Sequence, residues 1–335
     1  MKYGILLRPH ANGRYQQAVQ PLALCEALAL LSAAGIDAKP RLDELFGAGI
    51  ICFEAPELSE RARALLALHS LNYLLCEVHG DRLAPVGGRA KAFLGHDLNG
   101  ILKYKGKTNE RFTGFLVNMA LLSSAFAGAF DHKLCLFDPM CGRFTTLFEA
   151  CNRGYDAWGA GLDGREIGEG LTFLRKYLEH HHFKHALRQD ALTLPGKRSA
   201  QIRRVSFAAD TAQYRAGDQR TLSATALDCE SAARAFGAGR FHLAAFDMPY
   251  SVQHGPGGRE SFEKLLGRMA GPLLAALKPG GAVALSFNSH TLRPETARAA
   301  LADAGFSVCR GESYDHLAHW VEQAIVRDVV VAQKP

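Results

Sequence analysis

The sequence contains no C-x-x-C pair, no internal repeat, no low-complexity tract and no long apolar run. Each absence excludes a class of protein. Its eight cysteines follow no regular spacing, and Cys52, Cys76 and Cys135 sit inside apolar stretches. They read as reduced core residues in a cytoplasmic protein rather than as a disulfide framework or a zinc site. His180, His181, His182 and His185 end a helical pattern with no acid or cysteine cluster beside them, so a solvated helix end is expected and no metal. The most apolar stretch, Met119 to Phe130, is too short and too rich in small residues to span a bilayer. The opening MKYGILLRPH has no apolar core behind its charge, so no signal peptide is expected. What remains is a globular composition, 48% hydrophobic and 21% charged over 335 residues. That is too apolar for disorder and long enough for two domains. The net charge of +6 permits a polyanionic partner without requiring one.

Along the chain, residues 2–7, 49–55 and 71–78 are apolar strands. A helix is expected from Tyr15 to Ala34, with Ala23, Ala27, Leu30 and Leu31 on one stripe, and another from Glu57 to Ser70. The β-α-β-α-β order predicts a small α+β domain of ferredoxin-like type over residues 1–80. Residues 81–100, with Pro85, Gly87, Gly88 and Gly95, read as a linker. The second domain, 101–335, opens with a basic loop carrying Lys103, Lys105, Lys107 and Arg111 that runs into a helix. These four side chains are candidates for phosphate contacts, and an ordinary solvated loop is the plain alternative. A clear amphipathic helix follows later, with Ile167, Leu171, Leu174 and Leu178 on one face. Residues 186–222 read as an insertion, and FSVCRGE with QAIVRDVVVA as a terminal antiparallel pair.

Two stretches organise this second half. LCLFDPMCGRFTTLFEA (134–150) is an apolar strand ending on Asp138, a small-residue turn at Cys141 and Gly142, and a helix starting near Thr145. FHLAAFDMPYSVQHG (241–255) repeats the form, ending on Asp247 before Met248, Pro249 and Tyr250. Open α/β sheets bind ligands at the carboxyl ends of such strands, where the strand order reverses. A dinucleotide dehydrogenase would need G-x-G-x-x-G after the first strand, and residues 138–145 hold one glycine.

The series Asp138-Pro139-Met140-Cys141-Gly142, the strand-end acids Asp163 and Asp228, Asp247-Met248-Pro249-Tyr250 and Leu277-Lys278-Pro279-Gly280-Gly281 resembles the class I S-adenosylmethionine-dependent amino-methyltransferases. Within them it is similar to the tRNA guanine-N2 methyltransferases, whose loop reads D-P-x-C-G-x-G-T. The stretches KYKGKTNERFT and HWVEQAIVRDVVVA share that likeness, which covers about residues 100–335. The resemblance implies an α/β, Rossmann-like, mostly parallel seven-stranded sheet with an antiparallel last strand. It implies S-adenosylmethionine as cofactor, with Asp138, Pro139, Cys141, Gly142 and Thr145 on the donor loop. Asp163 is then the ribose acid, and Asp228 the partner of the adenine amino group. Asp247, Pro249 and Tyr250 become the site of a target amine, Tyr250 stacking on the base. The implied substrate is an exocyclic amine of a nucleic-acid base, guanine N2 in tRNA, with DNA adenine N6 or cytosine N4 as the alternative.

Two departures keep a third alternative open, a catalytically degenerate RNA-binding protein. Phe144 stands where the family's loop has its second glycine, and Gly161 where its commonest second-strand acid lies. A phenylalanine there either swings outward under the following helix or fills the donor pocket. Plain alternatives stand beside the roles. A strand-end acid also serves as a helix cap, and Tyr250 as core packing. No base is evident to activate Cys141 as a nucleophile.

Overall fold

The computed structural model describes all residues except 11, 46, 105, 195–198 and 250–260. The chain begins with β1 (Lys2–Leu7), α1 (Gly13–Ala33), β2 (Arg41–Leu45), β3 (Ala48–Glu54), α2 (Glu60–Leu66), β4 (Asn72–His79) and β5 (Arg82–Gly87). Its strands pair antiparallel in the order β2-β3-β1-β4-β5. The run from β1 to β4 is the βαββαβ unit of the ferredoxin-like motif, and β5 adds an edge. The sequence pattern shows neither β2 nor β5. Both are edge strands facing solvent, so neither carries an apolar run, and β5 holds Pro85, which only an edge tolerates. The stretch read as a linker therefore contributes a strand to this sheet.

The larger sheet is built from β6 (Cys135–Asp138), β7 (Asp156–Ala160), β8 (Lys184–Thr193), β9 (Ser199–Ala208), β10 (Arg220–Thr225), β11 (Phe241–Asp247), β12 (Leu277–Asn288), β13 (Ser307–Val308), β14 (His319–Glu322) and β15 (Ile325–Gln333). The helices of this half are α3 (Leu98–Ile101), α4 (Glu110–Leu122), α5 (Thr145–Asn152), α6 (Gly164–His180), α7 (Thr211–Arg215), α8 (Cys229–Phe236), α9 (Phe262–Ala276) and α10 (Pro294–Asp303). Among the described residues the strand order is β13-β15-β12-β11-β6-β7-β10-β9-β8, with β14 on β15. The central strands β12, β11, β6, β7 and β10 are parallel, and β15 runs antiparallel to β12. The expected seven-strand frame, with its antiparallel last strand, is present as β10, β7, β6, β11, β12, β15 and β13. The segment read as an insertion supplies the antiparallel hairpin β8–β9, which extends the sheet beyond β10.

Parallel strands covered on both faces read as continuous apolar runs, and β11 is buried along Leu243 to Phe246. One face packs against α8, α9 and α10 around Phe137, Phe241, Phe246, Leu266 and Leu301. On the other, Ile167, Leu171, Leu174 and Leu178 of α6 are all buried as their spacing predicts. That second core is continuous with the small sheet, running from Ile5 and Leu30 through Phe115 to Phe148. A buried polar seam crosses the same junction. Glu26 on α1 accepts from Ser70 Oγ at 2.6 Å and from Asn118 on α4. Asn118 in turn accepts from Arg153, which pairs with Glu149 at 2.9 Å.

Candidate active site

Chain direction puts the site where the strand order reverses. From β6 the chain winds through β7 to β10, then returns to place β11 on the other side of β6. Ala244 of β11 lies opposite Phe137 of β6, so Asp138 and Asp247 end neighbouring parallel strands. By that register Asp247 projects two residues further, roughly 7 Å beyond Asp138 at the usual strand rise.

Asp138 is 3% exposed, and its carboxylate accepts from the Met140 N–H at 2.9 Å. Burial pushes its pKa up to about 7, the charge of Asp247 adds to the rise, and hydrogen bonds from Met140 and Thr146 oppose it. Pro139 is buried. Cys141 is buried too, and burial holds its thiol well above the ordinary range. That suits a loop residue whose N–H donates to Ala160 at 2.8 Å, not a nucleophile. Thr145 opens α5 and shares a hydrogen bond of 2.9 Å with Tyr104, whose ring lies under the Arg143 guanidinium.

The Phe144 question has an outward answer. Its backbone takes the left-handed conformation (φ 79°) that a glycine would adopt there. Its ring is wholly buried and lies against α6, where a Cβ on Gly170 would fall 2.6 Å from it. It also meets Phe148 edge-on. The ring thus packs between α5 and α6, the outward of the two expectations. Gly161 leaves room at the same loop. A Cβ there would sit 3.7 Å from both the Gly142 nitrogen and the Cys141 sulfur, and Gly142 itself has φ 43°. A side-chain-free approach to the loop backbone fits the donor that the resemblance implies.

Among the described residues, side chains from the loop before α4, from β12 and from β15 hold Asp247. Thr108 donates to Oδ2 at 2.8 Å, Arg327 of β15 donates to Oδ2 at 3.2 Å, and Ser286 of β12 donates to Oδ1. The Arg327 ion pair is buried, with side chains 4% and 12% exposed. The Arg327 guanidinium also lies 4.4 Å from the centre of the Phe112 ring. Next to it, burial and then Arg327 pull His319 down to about 4. Met248 is buried and its N–H donates to Ser286 O at 2.8 Å, leaving Pro249 exposed. Tyr250 and Lys105 lie outside the described residues.

The other named residues are scattered in role. Asp163 and Asp228 are the N-caps of α6 and α8, accepting from Arg165 N at 2.7 Å and from Ser231 N at 2.9 Å. Both stand at the carboxyl ends of β7 and β10, so capping and ligand binding are compatible there. Of the basic loop, Lys103 is exposed. Lys107 turns inward to the Asn99 carbonyl and to Glu110 at 3.8 Å. Arg111 donates to the carbonyls of Arg8 and Pro9, each at 3.0 Å. Lys107 and Arg111, two of the four candidates for phosphate contacts, thus also tie the chain to itself. Sequence reasoning missed Thr108, Ser286 and Arg327. Only Arg327 leaves a signal, a charge interrupting the apolar run of β15.

No family model and no curated protein matches this sequence. Solved structures do resemble it. A precorrin-6y C5,15-methyltransferase from Geobacter metallireducens matches with a TM-score of 0.42 and 13% identity over 73% of this chain and 100% of that one. A variant of the 16S rRNA (adenine(1408)-N(1))-methyltransferase from Catenulisporales acidiphilia gives 0.35 and 15% over 73% and 96%. A TehB-like S-adenosylmethionine-dependent methyltransferase from Corynebacterium glutamicum gives 0.37 and 12% over 63% and 85%. Likeness at this level says nothing about substrate. The class I methyltransferase-like sheet stands on its own strand pairing.

Proposed function

We propose that this chain is an S-adenosylmethionine-dependent methyltransferase acting on an exocyclic amine of a nucleic-acid base, with guanine N2 in tRNA as the substrate. The observation that carries this is the adjacency of a glycine-cradled loop after Asp138 and a rigidly held acid, Asp247, at neighbouring strand ends. The bound donor supplies an electrophilic methyl on a sulfonium cation. An exocyclic amine is a poor nucleophile because its lone pair is conjugated into the ring. Asp247 accepts its N–H and favours pyramidalisation at nitrogen. The donors from Thr108, Ser286 and Arg327 fix the plane of that carboxylate, so alignment is set before the substrate arrives. Asp163 and Asp228 are assigned to ribose and adenine, each keeping its helix cap.

The test is isotope-labelled S-adenosylmethionine incubated with the purified chain and either tRNA or genomic DNA, followed by nucleoside mass spectrometry. Labelled N2-methylguanosine from tRNA is the expected product, lost in Asp247→Asn while donor binding persists. Label in DNA alone moves the assignment to adenine N6 or cytosine N4. Donor binding without transfer to either polymer overturns the enzyme reading.

A further inference from the structure

Between the small sheet and helices α4 and α5 lies a cavity of about 170 Å³. Arg8, Arg89, Lys91, Arg111 and Arg153 line it, against the carboxylates of Glu110 and Glu149. Arg153 and Glu149 satisfy each other at 2.9 Å. Arg111 spends one guanidinium nitrogen on backbone carbonyls. Among the described residues, no hydrogen bond or ion pair is made by the side chains of Arg8, Arg89 or Lys91. The fold has brought five cationic side chains together against two carboxylates, an excess of positive charge. Burial, then Arg8 and further Arg111, draw Arg89 down to about 10. Burial, then Arg89 and Arg8, also lower His96 on the same wall. Asn99, 4% exposed, also lines the cavity and donates from its amide nitrogen to Glu149 at 3.1 Å.

The geometry points to a binding site for one phosphodiester of an RNA strand, held by Arg8, Arg89 and Arg111. Planar guanidiniums suit paired phosphate oxygens. The cavity adjoins the amine site through the loop leading into α4. Thr108 bonds Asp247, and Arg111, three residues on, lines the cavity. Three residues span at most about 11 Å. A strand whose base enters at Asp247 therefore passes the arginines with a neighbouring phosphate. The identity of the strand rests on the nucleic-acid reading above; the excess of positive charge does not.

The experiment titrates labelled single-stranded RNA and DNA of one sequence onto the full chain at several salt concentrations, by fluorescence anisotropy. It is run on the wild type and on the double variant Arg8→Ala, Arg89→Ala. The expected result is at least tenfold weaker RNA binding in the variant and a salt slope shallower by about 0.7. A parallel melt in inorganic phosphate is expected to raise the midpoint of the wild type more than that of the variant. Removing mutually repelling charges should not lower the variant's midpoint in phosphate-free buffer, which checks its folding. RNA binding with equal slope and affinity in both chains overturns this proposal and leaves the amine-transfer reading standing. If phosphate stabilises through these arginines while neither strand binds, the RNA assignment and the nucleic-acid reading fall together.

Discussion

The ends of β6 and β11 look alike in sequence, an apolar strand closing on an aspartate, and are opposites in electrostatics. Among the described residues, Asp138 is buried with only a backbone N–H and a hydroxyl to support its charge, and its pKa rises to about 7. Asp247 is nearly as enclosed and is paired with a buried guanidinium and two hydroxyls. One end is left wanting positive charge, and the other has its cation built in. A site that receives a cationic methyl donor at the first and a neutral amine at the second would be arranged this way.

The largest expected effect is at the built-in cation. Arg327→Met leaves the Asp247 carboxylate enclosed without its partner and should cost about 3–5 kcal/mol in urea unfolding. The paired variant Asp247→Asn with Arg327→Met should cost less than the sum of the two single changes. A loss within the scatter of surface substitutions would show that the two ends do not differ as described.

Asp138 carries the opposite sign. Its folded pKa, about 7, lies above the ordinary value of 3.8. Between those limits the folded chain holds a proton that the unfolded chain has released. Its stability therefore falls as pH rises through that window, by on the order of 4 kcal/mol in all. Asp138→Asn removes this fall, so its stability advantage over wild type should grow from pH 4 to pH 8 by that amount. Parallel pH profiles for the two chains would erase the contrast.

Phe144→Gly should be destabilising by about 2 kcal/mol. The lost core ring costs about 3–5 kcal/mol, offset by relief of a left-handed backbone at roughly 1–2 kcal/mol. Donor affinity, by calorimetry, should stay within about twofold, and a sharp gain would mean that the ring had been in the ligand's way. Thr108→Val is the mildest change, costing about 1.5 kcal/mol for one hydrogen bond to a charged acceptor. It should lower turnover more than donor affinity, since it loosens Asp247 and leaves the loop after Asp138 intact.

Much of this was legible before any coordinates. Both strand-end aspartates close apolar runs, and the stripe on α6 follows the helical period. The edge strands β2 and β5 were not, because a strand facing water keeps no apolar run to mark it. Asp163 and Asp228 were visible as acids, and the helix cap was already the plain alternative to a ligand role there. Phe144 was visible only as a departure from a glycine loop.

The sequence by itself determined the parallel α/β core, the two acids at its strand ends and the ferredoxin-like order of the first strands. These follow from local periodicity and from the residue types that end a strand or start a helix. Only the tertiary structure decided which way Phe144 faces, because that depends on a gap at Gly170, a residue on another helix. It alone joined Thr108, Ser286 and Arg327 on one carboxylate. The same holds for the cavity lined by Arg8, Arg89 and Arg111. Pairings between residues so distant along the chain leave no periodic trace, since they are fixed by how sheets and helices pack and not by any neighbour in sequence.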